Sequence, residues 1–393
     1  MATHPVFPNC LRYVREHRNL SLRQVADELG TSQGKLAQFE SGDAVPTLRQ
    51  YGLLQAIYGV PDYQLAGRDV PDLAPVVVDL RHAQASPLEI SPKGLKAYFA
   101  RSAAAELIDS IAASLQINPE LKRPLGTRAS NIVSRVEIYH KLLDFDPKKP
   151  PWVDSPELTL RYLRAKVEKF GIYCFMAEVP PTDYRGLFTR ISDRASLILI
   201  NKRTFKVKAR LFTLIHEFAH FLLDLEGASD PLILRNREER ACNEFASHFL
   251  APPDLIAELL TQATKRTTSP ETIIAYVSRG CLLSQGAVAY RLRQDGTITD
   301  NAYREWFKKN GFPPNYGAEE TADELEAEAG PGGGQYAYNL LSDFGFRPFQ
   351  ILEKALGQHA IDDVHVAHII NARGPTQDLV FKTAKDRLAE LGL

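Results

Sequence analysis

Residues 211–225 constrain this chain more than any other stretch, because its most apolar run also carries His216, Glu217 and His220. The neighbours Leu211, Phe212, Leu214, Ile215, Phe218, Phe221, Leu222 and Leu223 leave hardly any polar face, so a helix here has to be buried. Burying a carboxylate and two imidazoles is costly unless they are paired or bind a metal. Residues four apart on a helix share one face. His216 and His220 can therefore hold one Zn²⁺ between two imidazoles, at roughly 2.0–2.1 Å from each. Glu217 falls one step round the helix, beside the metal, where a carboxylate can take a proton from a zinc-bound water.

A zinc site that does chemistry needs a third protein ligand and an open position. The segment REERACNEFASHFLAP, residues 237–252, offers the ligand. Cys242, Phe245 and Phe249 form its apolar stripe, and Glu239 and Asn243, four apart, lie beside that stripe. Glu239 is the expected third ligand and Asn243 the expected partner that orients a ligand. Glu238, Glu244 and His248 are rivals, Glu238 and Glu244 reading more simply as solvated surface. Cys242 fits packing better than ligation. One zinc per chain is expected, although a His₂Glu set discriminates weakly and other divalent metals could enter.

The rest of the chain reads as several units. It has 393 residues, 44% hydrophobic and 24% charged, an ordinary globular composition. Lys and Arg number 47 against 48 Asp and Glu, so no global basic field holds it on nucleic acid or membrane. Cys10, Cys174, Cys242 and Cys281 are scattered and show no CxxC spacing, which suits a reducing cytoplasm rather than a disulfide scaffold. No apolar run reaches the length of a membrane span. Short helices with tight turns fill residues 9–66. A Pro-, Asp- and Val-rich linker and a helical region follow over 67–150, and a mixed helix-and-strand domain is expected over 151–316. GIYCFMAEV and SLILIN read as its strands, and residues 206–224 and 237–250 as helices. An acidic, Gly-rich linker over 317–335 leads to a last helical segment, 336–393. The expected fold is α+β and mostly helical.

Within residues 9–66, Ser21 with Gln24 forms a capping box and Gly30 a turn, after which Ser32 opens a second helix running to about Phe39. That is a helix-turn-helix pattern, whose second helix enters the major groove of DNA. Leu36 and Phe39 face inward; Ser32, Gln33, Lys35 and Gln38 remain outward. Gln33 can pair with adenine and Gln38 with a nearby base. Arg12, Arg15 and Arg18 read as a basic outer face of the first helix, with Arg12, Arg15 and Arg23 placed to touch phosphate. Six Lys and Arg face six Asp and Glu between Leu11 and Leu65, so a single copy binds weakly and a homodimer on operator DNA is implied.

RGLFTRISDRASLILIN, RLFTLIHEFAHFLLD and ERACNEFASHFLAP together resemble the ImmA/IrrE family of zinc metallopeptidases. His216, Glu217, His220, Glu239 and Asn243 match the family's motifs position for position, and residues 9–66 resemble the Cro/repressor-type domain often fused to this peptidase. The resemblance implies a zincin-like domain with a small twisted sheet. Glu217 would be the catalytic base and the substrate a regulatory protein such as a repressor. SLILIN is then expected beside the metal helix, where a strand can add a substrate backbone to the sheet edge. The Asp79-Leu80-Arg81 linker and GGGQYAYNLLSDFGFRPFQILEKAL resemble a subgroup encoded beside PIN-domain nucleases and regarded as antitoxin-like. That implies a toxin nuclease as a further partner, and a reading in which zinc is structural and the protein acts by binding.

Overall fold

The protein is described from a computed structural model, over residues 8–60, 65–66, 78–79, 86–87, 90–149, 155–180, 183–204, 207–225, 227–229, 237–310 and 334–393. The acidic stretch 319–328, the Asp230-Pro231 loop and most of the 67–93 linker lie outside those residues.

The first unit is a four-helix head. Helices α1 (Pro8–His17), α2 (Leu22–Leu29), α3 (Gln33–Ser41) and α4 (Leu48–Tyr58) enclose Leu11, Val14, Val25, Ala26, Leu29, Leu36, Phe39, Leu54 and Ile57. Side chains start three of the helices. Ser21 and Gln24 cap α2 reciprocally, Ser32 accepts the Lys35 amide at 3.1 Å, and Thr47 with Gln50 caps α4.

The structure corrects one expectation here. Arg15 and Arg18 are buried, 9% and 7% exposed, and do not form an outer basic face. Leu11, Val14, Arg15 and Arg18 stand at i, i+3, i+4 and i+7, which is one side of a helix whatever their polarity. Arg15 forks onto the buried Glu40, Nε to Oε1 at 2.6 Å and Nη2 to Oε2 at 2.9 Å, and also donates to the Leu20 carbonyl. A buried guanidinium of this kind is stable only because its charge and donors are met.

Strands β1 (Val78–Asp79) and β2 (Ser86–Pro87) precede a 23-residue helix, α5 (Pro92–Ser114), then α6 (Val136–Leu142) and α7 (Pro156–Glu168). Helix α5 carries the head. It packs on α2 and α4. The Arg18 guanidinium lies over the Phe99 ring at 5.0 Å while its Nε donates to the Tyr58 carbonyl. Gly59 turns left-handed at the end of α4, and a Cβ there would collide with Phe99.

The sheet follows: β3 (Ile172–Ala177), β4 (Gly186–Arg190) and β5 (Ser196–Asn201), then α8 (Val207–Leu223), β6 (Gly227–Ser229) and α9 (Arg237–Leu250). Its order is β2-β1-β6-β4-β5-β3. Strand β5 runs parallel to β3 and antiparallel to β4; β4 runs antiparallel to β6, which meets β1 in parallel. SLILIN is β5 and packs on α8, as expected. Its place as the free edge is corrected, because hydrogen-bonded strands flank it on both sides and no edge is left for a substrate. The edge strand beside β5 is β3; on the other side lies β4, five residues that begin with Gly and end with Arg and give little strand signal.

Helices α10 (Pro253–Thr264), α11 (Pro270–Gly280), α12 (Gln285–Gln294) and α13 (Asp300–Asn310) extend the domain. The C-terminal helices α14 (Gly334–Phe344), α15 (Arg347–Gly357), α16 (Asp363–Ile370) and α17 (Pro375–Glu390) fold back on it. One face of the sheet takes α7 and α8; the other takes α5 and α14, with Phe175 edge-on to Phe344 at 5.1 Å. A buried pair on α7 fastens this return. Arg164 donates to the carbonyls of Ser342 and Cys174, and Glu168 accepts the amides of Phe346 and Arg347, both at 2.9 Å. The end of α14 and the start of α15 thereby find partners for backbone groups that helix ends leave open.

Candidate metal centre

Two helices build the centre. On α8, His216 and His220 project from one face, and Phe218 on the opposite side packs between Phe170 and Tyr139, 5.3 and 6.1 Å between ring centres. On α9, Glu239, Cys242 and Ala246 share the buried side, so packing Phe245 and Phe249 into the core turns Glu239 toward the histidines. His216, Glu217, His220 and Glu239 are all 0% exposed.

Three ligand atoms converge. The two imidazole Nε2 atoms lie 3.0 Å apart, His216 Nε2 stands 3.2 Å from Glu239 Oε2, and His220 Nε2 stands 3.1 Å from Glu239 Oε1. Bonds of roughly 2.0–2.1 Å to a tetrahedral ion put neighbouring ligand atoms about 3.3 Å apart, so the triangle already has nearly the size that zinc needs. Burial alone would push the Glu239 carboxyl up, but hydrogen bonds and charge from His216 and His220 hold it down to about 2. The outer Nδ1 atoms of His216 and His220 are buried and meet no hydrogen-bond partner among the described residues. Two imidazoles and a carboxylate aimed at one dry point are a donor set for a divalent metal, and this is the only group of three or more such side chains among the described residues that could hold one.

Glu217 is not in that triangle. Its carboxylate lies against Gly186 at the start of β4, where a Cβ would collide with it. Gly186 is the residue that the sequence reading missed; its signal is the RG that opens RGLFTR. The rivals for third ligand are elsewhere: Glu238 and His248 are half-buried, Glu244 is exposed, and none joins the triangle. Cys242 is fully buried in the apolar stripe, and burial pushes its thiol up, away from the thiolate that a metal takes. Asn243 is half-buried one turn beyond Glu239.

In the head, Ser32, Gln33, Lys35 and Gln38 are exposed along α3. Ser32 spends its hydroxyl as the cap, and Lys35 reaches Gln38 at 3.4 Å. Arg12 and Arg23 are open, 52% and 78% exposed at the side chain. Arg15 is corrected as a phosphate contact, because Glu40 and the Leu20 carbonyl already occupy its guanidinium.

A metal-ligand triangle carried on two helices under a mixed sheet, with a carboxylate beside it, is the architecture of a metallopeptidase-type domain. The family model of the IrrE N-terminal-like domain, peptidase family M78, matches residues 167–293, and that of a helix-turn-helix domain matches residues 9–66. The chain thus joins a helix-turn-helix head, a DNA-binding type of domain, to an IrrE-like domain of a peptidase family. No curated protein and no solved structure matches it. Among the described residues no helix is long and apolar enough to cross a membrane.

Proposed function

We propose that the chain is a DNA-binding regulator whose IrrE-like domain is a zinc endopeptidase that cleaves a regulatory protein. The observation that carries this is Glu217, buried next to His216 in sequence on α8, with its carboxylate against Gly186 and outside the His216–His220–Glu239 triangle. A site that only stabilised the fold would need the triangle and not the extra buried carboxylate. Zinc held there would supply Lewis-acid polarisation of a peptide carbonyl and a more acidic water. Glu217 would take the proton of that water and deliver it to the leaving amide nitrogen. Asn243 would help to orient the ligand set. The near-neutral head would bind its operator as a homodimer, with Gln33 and Gln38 reading bases and Arg12 and Arg23 on phosphate.

Glu217→Gln tests this reading. Zinc content and DNA binding should persist, while hydrolysis falls by roughly 10²–10⁴-fold, and derepression of the regulated promoter should fail with it. A variant that regulates like the wild type would sink the peptidase role. The output would then be capture of a partner, such as a toxin nuclease.

A further inference from the structure

The centre that this reading makes catalytic has no exposed atom to offer a substrate. An extended peptide reaches such a centre by pairing its backbone with the edge of a neighbouring strand. Strand β4 is the one that passes over Glu217, through Gly186, and its inner edge is taken by β5. Only the opposite edge can receive a peptide. The chain itself lies there. Strand β6 pairs antiparallel with β4, setting Ser229 opposite Gly186, Ala228 opposite Leu187 and Gly227 opposite Phe188.

We propose that residues 227–229 occupy the substrate-docking edge of β4, so that the chain blocks its own centre and an extended peptide must displace β6 to be cut. This rests on the peptidase reading above. The position of β6 suits the role. It belongs to the connection between α8 and α9, so peeling it away disturbs none of His216, His220 and Glu239, which the helices hold. It is three residues long, and a strand that short opens at little cost compared with the core. Its far side pairs with β1 at a single position, Asp79 opposite Ala228. Strand β1 falls in sequence between the head and α5, so two residues that follow the DNA-binding unit in the chain also brace the strap. A substrate then binds only the open fraction of molecules, and its apparent affinity is lowered by that fraction.

The experiment uses full-length zinc-loaded protein. Ala228→Pro and Ser229→Pro each put into β6 a residue that sheet interiors exclude, while Asp79→Pro loosens only the brace. One rate and one affinity are read: the rate of zinc removal by EDTA, and the affinity for a peptidyl hydroxamate. Both should rise by about tenfold or more in the β6 variants and less in Asp79→Pro, with melting curves close to wild type. If the folded variants lose zinc and bind the hydroxamate as the wild type does, the strap is not a block. Should the β6 variants fail to fold, Asp79→Pro carries the test, and wild-type values for it refute the proposal. Failure of the parent reading looks different: Glu217→Gln would regulate like the wild type, whatever the β6 variants do.

Discussion

In the head, Gln33, Lys35 and Gln38 stand in solvent along α3; in the IrrE-like domain, His216, Glu217, His220 and Glu239 have no exposed surface. The two regions hold polar groups for different purposes, and burial separates them. A base-reading side chain is useful only if it meets the major groove unaided. A metal-ligand set gains from a dry surround, where charge interactions are stronger. The same contrast recurs inside the head. Arg12 and Arg23 keep most of their side chains in solvent, each only loosely paired, with Glu40 at 3.9 Å and Asp27 at 3.8 Å, while Arg15, on the same helix as Arg12, is a structural cation.

The largest expected effect comes from breaking that last distinction. Arg15→Ala leaves the buried Glu40 carboxylate with only its loose 3.9 Å pairing to Arg12 and should destabilise the head by about 3–5 kcal/mol. DNA binding would be lost through unfolding, visible by thermal melting, with zinc content kept. Removing Glu40 as well should recover part of the loss, since the uncompensated charge goes too. Next is the centre: Glu239→Ala takes one corner from the triangle and should weaken zinc binding by more than about 100-fold, a larger effect than losing an outer partner. Titration with a competing chelator measures it, and unchanged affinity would move the third ligand elsewhere. Gln33→Ala and Gln38→Ala should each cost about 1–3 kcal/mol on the specific operator and little on random DNA. Arg23→Ala should be mildest, weakening all sequences alike and reducing the salt slope by about one.

Much of the centre was legible because it is local. The i, i+4 spacing of His216 and His220 sets their common face, and the apolar stripe of Cys242, Phe245 and Phe249 fixes which way α9 turns Glu239. Helix starts at Ser21 and Ser32 were legible through their caps. What stayed hidden depends on chain segments far apart. Arg15 reads as surface by residue type, and only its partner Glu40, 25 positions on, makes it core. Gly186 carries no side chain to signal that a carboxylate rests on it. The Arg164–Glu168 clasp is satisfied by backbone groups nearly 180 residues away, which no local pattern announces.

That clasp bears on the order in which the protein matures. The head precedes the IrrE-like domain and can fold before it, since domains generally fold as units and in the order of synthesis. The sheet cannot. Phe175 on β3 waits for Phe344, and Glu168 waits for the amides of Phe346 and Arg347. At the usual 5–20 residues per second, that wait lasts roughly ten to thirty seconds on the ribosome. During it the far face of the sheet has α5 but lacks α14, and the candidate metal centre sits in an unfinished domain behind a finished head. Each new chain thus completes its helix-turn-helix head before the domain that holds the His216–His220–Glu239 triangle, a delay set by the position of α14 in the sequence.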